Sequence, residues 1–495
     1  MLMPAPDPQL LARRREFIAA LRAIVPGEGV VTDDADLAVF ECDGLTAYRQ
    51  RPMIAVLPET TEQVSQVLAY CAAQGLKVVP RGAGTSLSGG ALPLADGIIL
   101  AMTKFNQILD LDFDNRCAVV QPGVTNLSVT QAVASNGFYY APDPSSQIAC
   151  SIGGNVAENS GGVHCLKYGT TTNNLLGVEV VLIDGTVLRL GGKAMDPAGL
   201  DLLGVVCGSE GLLGVVTEVT VRILPAPETQ RALLMGFADT EAAGACVAAI
   251  IAAGVIPAGM EMMDRAAIHA AEAFVHAGYP LDVEALLIVE LDGPPAEVDH
   301  FIDVVRRIGE ASSCSTLRVS TCEAERKLFW AGRKAAFPAI GRISPDYYCI
   351  DGTIPRKTLP QVLRRMEDLS AHYGLRVANV FHAGDGNLHP LILYDANNAD
   401  ELDRAEKFGA DILRLCVKVG GVLTGEHGVG IEKRDLMPEM FSEGDLAQQM
   451  RVKCAFDDKG LLNPGKVFPT LHRCAELGRM HVKGGALPFP EIPRF

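Results

Sequence analysis

Pro80-Arg81-Gly82-Ala83-Gly84-Thr85-Ser86-Leu87-Ser88-Gly89-Gly90 is the stretch on which the reading of this chain turns. Four glycines and three hydroxyls in eleven residues suit a backbone that folds tightly and aims several N–H groups at one point. Such a concave row of amides holds phosphate without needing lysine. A strand pattern over residues 76–79 leads into it, and a helical pattern over 61–74 comes before that. The dinucleotide fingerprint fails here. Leu87 stands where a third glycine belongs, and residues 91–102 read as turn and strand, not as a helix facing a pyrophosphate. Taken alone, the segment also reads as an ordinary glycine-rich turn between strands.

Two further clusters shift that balance. Pro142-Asp143-Pro144-Ser145-Ser146-Gln147-Ile148-Ala149-Cys150-Ser151-Ile152-Gly153-Gly154-Asn155-Val156-Ala157-Glu158-Asn159-Ser160-Gly161-Gly162 is dense in glycine and small polar residues, without a flexible linker's monotony. It reads as structured loop and helix cap around something polar. Gly208-Ser209-Glu210-Gly211-Leu212-Leu213-Gly214 then feeds a half-buried strand over 215–223. Around these lie strands over 53–57, 98–102 and 118–121 and a helix over 126–136. A hairpin over 178–183 and 186–190 turns at Asp184-Gly185. Pro225-Ala226-Pro227 marks a domain boundary. Beyond it, strands (233–237, 285–291, 317–320) alternate with helices (240–253, 296–311, 323–337). That order predicts an α+β domain, an antiparallel sheet with helices on one face.

With 495 residues, 48% hydrophobic and 21% charged, the chain has the composition of a soluble protein of two or more domains. A net charge of −16 argues against nucleic acid or an anionic membrane as main partner. No apolar run is long enough for a membrane span. The N-terminal pattern over 10–25 carries Arg13, Arg14, Arg15 and Arg22 and lacks the continuous apolar core of a secretory signal; a solvated surface helix is expected. Thirteen scattered cysteines without a C-x-x-C pair exclude a visible iron–sulfur run or cysteine zinc site, and fit reduced thiols in a cytoplasm.

The last third carries the polar chemistry. A strand over 376–381 ends in His382-Ala383-Gly384-Asp385-Gly386-Asn387-Leu388-His389, and a strand over 390–394 returns. Both imidazoles can converge at the tip of this hairpin. With Glu426 they give two nitrogens and a carboxylate, a set that suits zinc, manganese or iron with open positions. Glu426 and His427 are adjacent and point differently, so His427 can serve as a general base near neutral pH. Equally, Asp385, Glu426 and His427 can do no more than cap turns. Arg333, three residues after the only tryptophan, reads either as a carboxylate clamp or as a surface salt bridge.

These segments resemble a known family. Residues 80–90, 142–162 and 208–214 are similar to the FAD-binding domain of the vanillyl-alcohol oxidase and p-cresol methylhydroxylase superfamily. Residues 382–389, 425–430 and Asn463-Pro464-Gly465-Lys466 resemble the C-terminal domain of its 2-hydroxy-acid dehydrogenase branch, which acts on glycolate, D-lactate and D-2-hydroxyglutarate. The whole length, including residues 344–355, looks most like the flavin subunits of bacterial glycolate oxidases.

The resemblance implies a two-subdomain FAD-binding domain of the p-cresol methylhydroxylase type plus an α+β substrate domain. The implied boundaries are 1–50 (helical extension), 51–227 (FAD-binding), 228–420 (substrate), 421–470 (segment returning to the flavin) and 471–495 (tail). Pro80, Arg81, Gly82, Ala83, Gly84, Thr85 and Ser86 would wrap the FAD pyrophosphate. Pro142, Asp143, Ser145, Ser151, Gly153, Gly154, Asn155, Asn159 and Gly162 would line the flavin and ribityl chain, joined by Glu210, Gly214, Val215 and Asn463.

His382, His389 and Glu426 would hold a divalent metal, zinc or manganese, with His427 as base and Arg333 on the substrate carboxylate. The first histidine in the chain is His164, so no histidine in the first loop can carry the flavin, and FAD should be non-covalent. Electrons would leave for flavin-like and iron–sulfur partner subunits of a glycolate oxidase complex, in the cytoplasm or peripherally on the inner membrane, with the tail from Leu471 helping to dock the acceptor. Relatives that oxidise 2-hydroxyglutarate carry polar residues where Phe337, Cys349 and Leu391 stand here, which implies a preference for small monocarboxylates. Two other readings stay open: a flavin-binding scaffold without catalysis, and a metallohydrolase using the two histidines alone. The second leaves three glycine clusters unexplained.

Overall fold

The computed structural model describes residues 3–194 and 199–469. The tail, and with it the docking role expected of it, lies outside these residues. The arginine-bearing N-terminal pattern forms helices Pro8–Ala12 and Arg14–Ile24, and the second buries Phe17 and Leu21 in the core of the first sheet.

That sheet runs Val30–Val31, Ile54–Val56, Gly97–Ala101, Lys77–Arg81. Its last three strands are parallel, with the helix Thr61–Gln74 as the crossover. Ile54–Val56 and Gly97–Ala101 are buried at every position, which is why they read as unbroken apolar runs. The glycine-rich loop leaves the C-terminal end of Lys77–Arg81. A five-stranded antiparallel sheet follows, in the order Ile108–Asp112, Cys117–Val120, Val215–Arg222, Leu175–Val181, Val187–Gly191. The hairpin expected at Asp184-Gly185 joins its last two strands. Leu224–Pro225 closes this region against Phe138–Tyr139, and Thr229–Phe237 opens the next sheet.

The third sheet has nine strands, all antiparallel. Its main path is Thr316–Val319, Thr229–Phe237, Ala285–Gly293, Gly259–Asp264, Val377–His382, Asn387–Leu388, Gly352–Thr353. Pro390–Tyr394 pairs with both Val377–His382 and Asp346–Cys349. Here one expectation needs correcting, because helices cover both faces. Leu233, Met235, Leu287 and Val289 pack with helix Thr240–Ala252, while Leu234, Leu286 and Ile288 pack with helix Arg265–Val275. The sequence reading passed over Arg265–Val275, an alanine-rich helix, and its neighbouring strand Gly259–Asp264. Ala285–Gly293 is buried at eight of nine positions, the pattern of a strand with no wet face. Each such Leu or Val contributes about 1.5–3 kcal/mol, so this sheet is a rigid platform.

Candidate active site

Each functional side chain is delivered by one of these frameworks. A cavity of about 590 Å³ opens between the glycine loops and the nine-stranded sheet. Pro80, Arg81, Gly82, Ala83, Gly84, Thr85, Ser86, Ser145, Ser151, Gly153, Gly154, Asn155, Glu210, Gly214 and Val215 line it, and so do Arg333, His382, His389, Glu426 and His427. Sequence reasoning had placed these in separate motifs; the fold puts them on one cavity.

Pro142, Asp143, Asn159, Gly162 and Asn463 do not line it. They hold its walls. The Pro142 carbonyl accepts from Asn126 Nδ2, Asp143 accepts from His164, and Asn159 Oδ1 accepts from Thr172 N at 2.9 Å. Gly162 packs on the Asp143 carbonyl. Asn463 Nδ2 donates to the carbonyls of Gly90 (2.9 Å) and Glu210 (2.7 Å), clamping two glycine loops together from the C-terminus.

The cavity fits a dinucleotide. Among the described residues, none of the amides of Gly82, Ala83, Gly84 and Thr85 donates to a protein acceptor, so four N–H groups in a row are left for phosphate oxygens. A Cβ on Gly82 would run into Ser151 Oγ, so the first and second clusters meet only because that position is glycine.

The two histidines come together as expected. Val377–His382 and Pro390–Tyr394 bring the rings to 4.9 Å between centroids, and both Nε2 atoms face Glu426 Oε1, at 3.1 and 2.9 Å. Burial disfavours charge on His382 and on Glu426, yet their partners win. Glu261 and Glu426 hold His382 well above the ordinary imidazole value, and the two imidazoles hold Glu426 well below the ordinary carboxylate value. Two nitrogens and an oxygen within 4.8 Å of one another, with His382 Nδ1 tied to a carboxylate, form a donor set a divalent cation fits.

His427 stacks on His389 at 4.9 Å, and its Nδ1 is 4.0 Å from Asp351 Oδ2. Burial pulls it down to about 4 against the pull of Asp351, so the ring is neutral at pH 7. Its loop is held elsewhere. Glu210 accepts from Val429 N and Gly430 N at 2.7 Å, and Gly428 adopts φ +83, where a Cβ would strike Glu158. Arg333 is not the surface salt bridge it could have been. It is 2% exposed and paired with Glu261 at 2.6 Å. Of the three proposed specificity positions, only Phe337 lines the cavity. Cys349 and Leu391 pair across adjacent strands and are buried, and neither lines the cavity, although Cys349 Sγ lies within 4.8 Å of a ring nitrogen of His389 and of His427.

Three acids escaped the sequence reading. Asp351 accepts from Thr424 Oγ1 and from the amides of Gly425, Glu426 and His427, fixing the loop that carries Glu426 and His427. Glu261 sits in the missed strand, where an acid flanked by methionines was the available signal. Glu290 joins the two halves of the molecule. It accepts from Trp330 Nε1 and Arg326, and lies 3.2 Å from His164 Nε2, whose Nδ1 meets Asp143 at 2.8 Å. Burial lowers His164, but the two carboxylates outweigh it and lift it to about 10. A raised value stabilises the fold fully below pH 6.5, and that stability is lost as pH climbs towards 10. His164→Leu should therefore lower the urea midpoint clearly at pH 6, with the gap to wild type shrinking by pH 10. A gap that stays constant across that range would refute the charged bridge.

Comparison with known proteins places this geometry. Residues 52–191 match the FAD binding domain family and residues 226–467 match the family of FAD linked oxidases, C-terminal domain. The chain is 57% identical to the glycolate oxidase subunit GlcD of Escherichia coli, over 97% of both chains. It is 31% identical to a D-lactate dehydrogenase of Anaerostipes hadrus, over 91% of this chain and 97% of that one. In fold it is similar to p-cresol methylhydroxylase, with a TM-score of 0.80 at 17% identity, over 94% of this chain and 98% of the other. With both family domains in order on one chain and their glycine loops meeting at one cavity, the protein belongs to the FAD-linked oxidases, an FAD-dependent oxidoreductase family.

Proposed function

We propose that this chain oxidises glycolate, and also D-lactate, to the corresponding 2-oxo acid, with FAD held non-covalently and a divalent metal, zinc or manganese, on His382, His389 and Glu426. The observation that carries this is a neutral, buried His427 on the same cavity as an arginine, a two-histidine carboxylate set and a row of free amides. When bound, FAD supplies the hydride acceptor and the metal supplies Lewis acidity that makes the substrate hydroxyl more acidic. The chain's own residues do the rest. Arg333 binds the substrate carboxylate. His427 takes the hydroxyl proton on Nε2, and Asp351, on the Nδ1 side, stabilises the imidazolium that results. Phe337 and Tyr347, edge to face at 6.0 Å, keep part of the wall apolar.

Anaerobic mixing with a panel of hydroxy acids tests this by flavin bleaching. Glycolate and D-lactate should show higher kcat/KM than D-2-hydroxyglutarate, whose distal carboxylate would face that apolar wall at a cost of several kcal/mol. Equal or better efficiency on the dicarboxylate would refute the assignment. The likeness to a D-lactate dehydrogenase supports the second reading, a D-2-hydroxy-acid dehydrogenase acting alone.

Acid precipitation should release intact FAD into the supernatant, since no histidine precedes His164. Flavin retained in the pellet would overturn non-covalent binding. Electrons pass to separate flavin-like and iron–sulfur subunits, in keeping with the E. coli relative's name as a subunit and with cysteines scattered singly. Fast quinone reduction by the chain alone would contradict this. No described helix is long and apolar enough to cross a membrane, and we place the protein in the cytoplasm, or peripherally on the inner membrane through those subunits.

A further inference from the structure

We propose that Glu261 is a positioning residue shared by the metal site and the substrate site, so that one buried carboxylate sets both. The inference rests on the metal reading above. Glu261 lies on the strand Gly259–Asp264, hydrogen-bonded on both sides, opposite Ile288 in one neighbour and opposite His382 in the other. Directly opposed residues of an antiparallel pair share a face, so the register alone brings this carboxylate to the ligand histidine.

Its two oxygens divide the work. Oε1 is 2.7 Å from His382 Nδ1, which fixes the tautomer that leaves Nε2 free to face Glu426. Oε2 accepts from Arg333 Nε at 2.7 Å. Arg333 Nη2 is also within 2.6 Å of Oε2 but outside hydrogen-bond geometry, so that end of the guanidinium keeps a donor for another group in the cavity. Arg333 comes from the helix Glu323–Lys334, whose backbone is pinned by Tyr279: the Tyr279 hydroxyl accepts from Arg333 N at 3.0 Å. Glu261 is 1% exposed and does not itself line the cavity. It reaches metal and substrate only through His382 and Arg333.

A carboxylate behind a ligand histidine raises that ligand's basicity and fixes its ring. The same charge holds the buried guanidinium in place. Loss of the charge must therefore weaken metal and substrate together, although Glu261 touches neither.

The test measures zinc and manganese affinity by equilibrium dialysis of the FAD-loaded protein, and KM for glycolate, in three variants. Glu261→Gln should lower metal affinity about 10–100-fold and raise KM. Glu261→Asp keeps the charge but is one methylene too short to span both partners, and should show the same paired loss in milder form; it serves if Glu261→Gln does not fold. Arg333→Lys should raise KM while leaving metal affinity within about twofold of wild type, because the Glu261–His382 contact survives. Loss of metal affinity alone, or of substrate affinity alone, in the Glu261 variants would overturn the shared role. A wild-type protein that binds neither metal would overturn the metal reading itself, and this inference with it.

Discussion

Flavin reduction in His427→Asn should fall about 10²–10⁴-fold, the usual loss when a positioned base is removed, while FAD remains bound. Asparagine keeps a polar side chain of similar reach but cannot take up a proton. The substitution spares the cofactor loops, and Glu426 stays in place because its amide, like that of His427, is held by Asp351. His389 loses only a stacking partner. Rapid anaerobic mixing followed by flavin absorbance measures the rate, and the bound flavin spectrum before mixing reports occupancy. Reduction at a near-normal rate would remove His427 from the mechanism.

Asp351→Asn should be nearly as damaging through a different route. Asp351 is fully buried, and its Oδ2 alone gathers Thr424 Oγ1 and three successive amides. Lys433 Nζ, also fully buried, is 3.7 Å from the same oxygen. An amide at this position presents N–H groups to a ring of donors and takes from the lysine one of its two countercharges, leaving Glu432 at 3.1 Å. Breaking a buried pair in this way costs about 3–5 kcal/mol. The expected result is a lower denaturant midpoint together with loss of flavin reduction, since Glu426 and His427, the proposed metal ligand and base, share the loop. An unchanged midpoint would mean that water or Glu432 replaces the carboxylate.

The groups of the candidate site were legible in the sequence because they cluster locally. His382 and His389 flank one turn, Glu426 and His427 are neighbours, and each glycine loop is continuous. What supports them was not legible. Glu261 meets His382 across 121 positions of chain and Arg333 across 72, and nothing within its own strand signals either partner. The strand Gly259–Asp264 and helix Arg265–Val275 were passed over for a related reason. Methionines and alanines carry weak periodic contrast, and burial on both faces of the sheet erases the alternation that marks a strand. The helix at Ile152–Glu158 was read only as a cap, because two glycines in its first turn argue locally against a helix that packing of Ile152 and Val156 stabilises.

The clamp made by Asn463 has a consequence for how the protein comes into being. Leu462 bridges to Val78, Asn463 N donates to Val78 O, and the Asn463 side chain ties Gly90 to Glu210. The cradle that opens near residue 80 is thus closed by a segment more than 370 positions later. The two glycine loops can both be in place and still lack this latch until residue 463 has joined them. A chain cut just before Asn463 would keep every glycine loop and yet leave the cofactor site unlatched.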